Sequence, residues 1–138
     1  MPEAQIHEVP HQLVNQVWPR VEQFIAAALV HAQGDYSVDD IRVFVTGGQW
    51  SLLVAVDSDS NIRGAAVISF FNRPRDRVAF VIAIGGKMIV NDMNWQQFEG
   101  ILHTHGATYL EGAVRDSVAK LFSRFGMQHK YSIVGKSL

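Results

Sequence analysis

Apolar residues recur at three- and four-residue steps through Leu13, Val14, Val17, Val21, Phe24, Ile25 and Ala28, the spacing of one buried helix face. Pro19 interrupts the stretch, and a proline inside a helix removes a backbone donor and clashes with the preceding turn. The pattern therefore predicts a short helix to about Val17 and a second from Pro19 to about Ala32, stopped by Gly34. The next stretch, "SVDDIRVFVTGG", fits two periods. Ile41, Val43 and Val45 alternate as in a strand, while Val38, Ile41, Phe44 and Val45 share a helical face. Ser37 followed three residues later by Asp40 resembles a capping box, with Asp in place of the usual Glu or Gln. That tips the reading to a helix over 38–46, ended by Gly47-Gly48.

Two apolar runs, "WSLLVAVD" and "IRGAAVISFF", flank the polar loop "DSDSN" and predict an antiparallel hairpin. A second turn, "NRPRD", leads into "RVAFVIAIGG". Together they predict a three-strand meander over 50–57, 62–71 and 77–85. The last strand is apolar throughout and is expected at the centre of the sheet, covered on both faces. Trp95, Phe98, Ile101 and Leu102 predict a helix over 92–104, and "ATYLEGAV" (107–114) a strand parallel to 77–85 after that crossover. Val118, Leu121, Phe122 and Phe125 predict a last helix with Asp116 as cap and Gly126 as stop. "MQHKYSIVGK" is expected to close the chain as a strand. The fold class is α+β, a mixed sheet of antiparallel meander plus parallel crossover with helices on both faces, in a single domain over 1–138.

Composition narrows the function classes. With 48% apolar residues, 18% charged and a net charge of −1, the chain reads as globular and lacks the cationic excess of a nucleic-acid coat. It has no cysteine, so disulfides, thiolate nucleophiles and cysteine-based zinc sites are excluded. No apolar run reaches the roughly 20 residues of a membrane span, and "MPEAQIHEVP" has no signal-peptide pattern. A soluble protein made in the cytoplasm is expected.

The order helix, helix, three antiparallel strands, helix, strand, helix, strand resembles the GNAT fold, the GCN5-related N-acetyltransferases. "KLFSRFGMQHKYSIVGKSL" resembles the GNAT ending, in which a helix of the form L-Y-x-x-x-G-F leads into a last strand. A closer resemblance is to short GNAT-like proteins of tailed bacteriophages and prophages. It lies in "SVDDIRVFVTGGQWSLLVAV", "IRGAAV", a basic proline-containing turn, a Gly-Gly after an apolar strand and a Trp in the following helix, over roughly residues 10–136.

That resemblance implies three chemical requirements. The first is a pyrophosphate cradle, in the family a Q/R-x-x-G-x-G/A turn running into a helix N-terminus. Here the turn holds Gly85, Gly86 and Lys87, with adjacent glycines and Asp92 in the first helical turn, where its charge opposes a phosphate. The second is a base for the attacking amine. Glu111 and Asp76 are nearest by order, and a solvent-facing strand position is the simpler account of Glu111. The third is an acid for the departing thiolate, commonly the tyrosine of the terminal helix, where Phe122 stands and has no proton to give.

Other groupings read as structural. His103 and His105 stand two residues apart, where zinc on a helix would want four. Arg73, Arg75 and Arg77 crowd a hairpin tip, a solvated turn or a contact for an acidic surface. Trp18, Trp50 and Trp95 suit packing. The leading expectation is a catalytically silent GNAT-like binding or structural module, without cofactor, metal or membrane. Its partner would be protein, phage structural proteins or itself, in the host cytoplasm and then the virion. The alternative is an acyl-CoA-dependent N-acetyltransferase with acetyl-CoA held by Gly85, Gly86 and Lys87. A third is a small regulator of a host protein.

Overall fold

The structure, a computed structural model, describes residues 3–31 and 34–138. Five strands form one sheet in the order of the chain: β1 (Gln5–Val9), β2 (Trp50–Val56), β3 (Ile62–Asn72), β4 (Arg77–Gly86) and β5 (Tyr109–Gly112). The first four are antiparallel neighbours, and β4 and β5 run parallel. Helices α1 (Val14–Leu29) and α2 (Val38–Thr46) precede β2; α3 (Asp92–Thr104) crosses from β4 to β5, and α4 (Asp116–Ser123) follows. This is the α+β class read from the sequence.

The period-2 strands send alternate side chains to two cores. Leu52, Val54, Ala65 and Val67 meet Val14, Trp18, Val21 and Ile25 of α1 and Ile41 and Val45 of α2. Leu53, Ala66, Ile68 and Val81 meet Trp95, Phe98 and Leu102 of α3 and Phe122 of α4. Ser37 and Asp40 do form a capping box: the Ser37 hydroxyl accepts from the Asp40 N–H, and the Asp40 carboxylate accepts from the Ser37 N–H. That closes α2 as a helix where the strand alternation competed.

Three expectations are corrected. Pro19 does not split the first helix. Val14 and Trp18 before it and Val21 and Ile25 after it form one buried stripe, so α1 runs through while Pro19 sits on the exposed face. The helix ends at Leu29; the expected end at Ala32 lies outside the described residues. Strand 77–86 is interior but not the midpoint, because β1 adds a strand at the far edge and β3 becomes the middle of five. β1 has only Ile6 and Val9 to bury, and α3 takes up polar groups beside it: Gln97 accepts from the Ile6 N–H at 3.0 Å and Asn94 donates to the Ala4 carbonyl at 2.9 Å. Finally, residues 127–138 form no strand; Tyr131, Ile133 and Val134 are exposed, and none of the described residues pairs with their backbone.

Candidate functional site at the parting of β4 and β5

β4 and β5 pair only from Val78 with Tyr109 to Val81 with Gly112. At Gly112 the backbones are close: an added Cβ would lie 3.2 Å from the Val81 Cβ. Beyond it β5 stops and α4 begins, while β4 continues to Gly86 against β3. The parting leaves a wedge of about 60 Å³, walled by Ala28 and Leu29 of α1, Ile82 and Ile84 of β4, and Val114 and Val118. Pockets for small organic ligands run to about 300–1,000 Å³, so this wedge is narrow. Among the described residues its polar side chains are His31 and Arg115, which meet at 2.8 Å. Arg115 can only donate, so the His31 Nε2 is the acceptor of that contact. The pair joins the end of α1 to the start of α4. Sequence reading missed both, since 84 positions separate them and neither lies in a motif.

The glycine turn adjoins this wedge and is tightly packed. A Cβ on Gly85 would run into the Phe24 carbonyl of α1. Gly86 has φ +70°, and a Cβ there would lie 2.6 Å from the Arg63 carbonyl oxygen and from the Phe24 ring. Gly64 is pressed from the other side, 2.7 Å from the Met88 nitrogen by the same measure. The Lys87 N–H donates to the Arg63 carbonyl at 2.8 Å. Met88 and Ile89 then turn into the core. The N-terminus of α3 is closed by its own residues: Asn91 accepts from the Asn94 N–H at 2.8 Å, and buried Asn94 accepts from the Val90 N–H at 3.3 Å. Asp92 occupies the first helical turn.

The acid and base candidates are equally committed. Glu111 is not solvent-facing; its side chain is only 13% exposed. It accepts two hydrogen bonds from Arg73, each 2.7 Å, and one from Lys130 at 2.8 Å. The Arg73 hydrogen bonds, with help from Lys130, lower its pKa to about 2. A carboxylate so stabilised is a weak proton acceptor. Asp76 accepts from the Thr108 hydroxyl at 3.0 Å. Phe122 is buried in the second core, its ring 5.6 Å from that of Trp95, and the wedge is lined by Val118 instead.

The arginine tip is largely spent within the fold. Arg73 holds Glu111, and Arg77 donates to the His105 carbonyl at the end of α3 at 2.7 Å, leaving Arg75 exposed. His105 stacks on Phe70 and meets Glu8 at 2.6 Å, apart from exposed His103. Among the described residues no three His, Asp or Glu side chains cluster as metal ligands. None of the helices described is long and apolar enough to cross a membrane.

A meander, a crossover helix, a parallel strand and a parting between the two parallel strands together define a GNAT-like fold. Solved structures agree. The chain is similar to a mutant of the BH1408 protein from Bacillus halodurans, with 19% identity, a TM-score of 0.63, and 96% of this chain and 98% of that one covered. It is similar to a putative acetyl transferase from Pyrococcus furiosus, with 12% identity, a TM-score of 0.67, and 99% and 100% covered. It is also similar to the aminoglycoside N-acetyltransferase AAC(6')-Iy in complex with CoA, with 10% identity, a TM-score of 0.67, and 100% and 96% covered. At these identities the likeness is one of fold. No protein-family model matches the chain, and no curated protein matches it in sequence.

Proposed function

We propose that this chain is a GNAT-like module that acts by binding protein and does not transfer acyl groups. The observation that carries this reading is the packing of the glycine turn. Gly85 and Gly86 lie against α1 and β3 with no room for a Cβ, and the Lys87 N–H is used within the sheet. Those contacts account for the glycines without a ligand. The capped, Asp92-bearing start of α3 offers a phosphate little. The sequence resemblance to short phage proteins supports a phage particle or its assembly as the setting. Detection of the chain among the proteins of purified particles, at constant stoichiometry, is the expected outcome there.

Calorimetry with acetyl-CoA tests the silent reading. Binding no tighter than about 1 mM, roughly −4 kcal/mol, is expected. A dissociation constant in the low micromolar range, lost in Gly86→Glu, would overturn it. One feature favours the acyltransferase alternative: the wedge opens between the parallel strands, with His31 and Arg115 at its mouth. In that reading Gly85, Gly86 and Lys87 hold the pyrophosphate of acetyl-CoA, and Phe122→Tyr raises any thioester turnover.

A further inference from the structure

The cluster around Glu111 holds more positive charge than it neutralises. Arg73 already saturates the carboxylate, its Nη1 donating to Oε2 and its Nη2 to Oε1, each at 2.7 Å. Lys130 adds a third bond, to Oε2 at 2.8 Å. Two cations therefore share one anion, and among the described residues no second carboxylate pairs with either. Aromatic rings hold the surplus charge in place. The Lys130 Nζ lies 4.7 Å from the centre of the Tyr109 ring and 5.2 Å from that of Tyr131, and the Arg73 guanidinium 5.3 Å from that of Phe71. A ring face attracts a cation but carries no net charge to cancel it. Phe71 and Tyr109 flank Val78 in one row across β3, β4 and β5, so the rings form a common floor.

This floor is open. Phe71, Tyr109 and Tyr131 are 37%, 38% and 54% exposed. Three of the five N–H groups on the Arg73 side chain and two of the three on Lys130 have no protein acceptor among the described residues. Arg75, at the same hairpin tip, is exposed and pairs with no acid among them. The approach is basic as well: residues 115–138 carry five Lys or Arg and one acid, Asp116.

We propose that this cluster is a docking site for an acidic segment of a partner protein. The segment sets its carboxylates on the free donors of Arg73, Arg75 and Lys130 and lays an apolar or aromatic side chain across Phe71, Tyr109 and Tyr131. Charge complementarity selects the occupant: donors and surplus charge stand together with no acceptor, and hydrogen bonds between ionised groups are the strong ones. The excess is local, in a chain of net charge −1, which suits a short acidic peptide and not a phosphate backbone. The inference deepens the reading of the chain as a protein-binding module and rests on the binding half of it. The acetyl-CoA titration tests the other half separately, because β4 begins at the arginine tip and ends at the glycine turn.

The probe is a synthetic pentapeptide with one phenylalanine between two pairs of glutamates, titrated into the full chain by nuclear magnetic resonance. Saturable binding that weakens as salt is raised is expected, with the ring protons of Tyr109 and Tyr131 among those that shift. Lys130→Met keeps the bulk of the side chain and leaves the Arg73–Glu111 pair intact. It should weaken binding about tenfold, the loss of one charge-assisted contact, and Lys130→Arg should restore it. Arg75→Gln alters a side chain the fold does not use, so it should weaken binding about two- to threefold with the melting temperature unchanged. The matching peptide with lysines in place of glutamates should not bind. Absence of saturable binding overturns the proposal, as does binding that survives both Lys130→Met and Arg75→Gln. Equal binding of the lysine peptide, or tighter binding of an oligothymidylate than of the acidic peptide, also overturns it.

Discussion

Gly85 and Gly86 show how one residue type answers two different demands. A glycine pair after a strand suits a phosphate cradle and equally suits a crowded corner, because in both the backbone is approached closely. Here the approaching group is protein: the Phe24 carbonyl at Gly85, and the Arg63 carbonyl with a positive φ at Gly86. Substitution by alanine therefore carries a stability cost even without ligand. Gly85→Ala should lower unfolding free energy by about 2–3 kcal/mol through overpacking. At Gly86→Ala the left-handed backbone alone adds about 1–2 kcal/mol. Urea denaturation checks both, and unchanged midpoints would mean that the glycines are kept for something other than packing.

Helices α1 and α2 show where local signals are decided by what an element packs against. Proline at position 19 should break a helix, yet the buried stripe on either side of it holds α1 together, and Arg42 of α2 grips the Asn15 side chain at 3.0 Å. Pro19→Ala restores the missing backbone donor on an exposed face, so it should raise stability by about 1–3 kcal/mol, read as a higher melting temperature. Ser37→Ala removes the cap of α2 and should cost about 1 kcal/mol. Ser37 was legible because a cap acts within four residues. β1 was not: its polar "QIHEV" is stabilised by β2 and by Asn94 and Gln97, some 90 positions away.

Across the whole molecule, Glu111 joins three distant pieces: the β3–β4 tip through Arg73, β5 itself, and the C-terminal segment through Lys130. Its folded pKa, about 2, lies below its ordinary value of 4.5. The folded state therefore favours the ionised carboxylate, and the stabilisation is present above pH 4.5 and lost as pH falls towards 2. Acid titration of stability should show a decline over that window that Glu111→Gln largely removes. The same variant should lower stability at pH 7 by about 2 kcal/mol, since it leaves the charge-assisted hydrogen bonds unmade.

The order of elements from α2 to α4 was legible in the sequence, because helix and strand periods, caps and turns act over a few residues and the two faces of each strand are written in alternate positions. The meander, α2, α3 and the parallel crossover to β5 follow from that alone. The candidate site was legible only as a glycine turn. Whether its donors are free depends on Phe24 and Arg63, which reach it through the packing of α1 and β3. The wedge and its His31–Arg115 pair exist only once β5 stops at Gly112 and two distant helix ends meet. The last segment marks the same boundary: its composition prescribes a strand, but a strand requires a paired neighbour, and none of the described residues pairs with it.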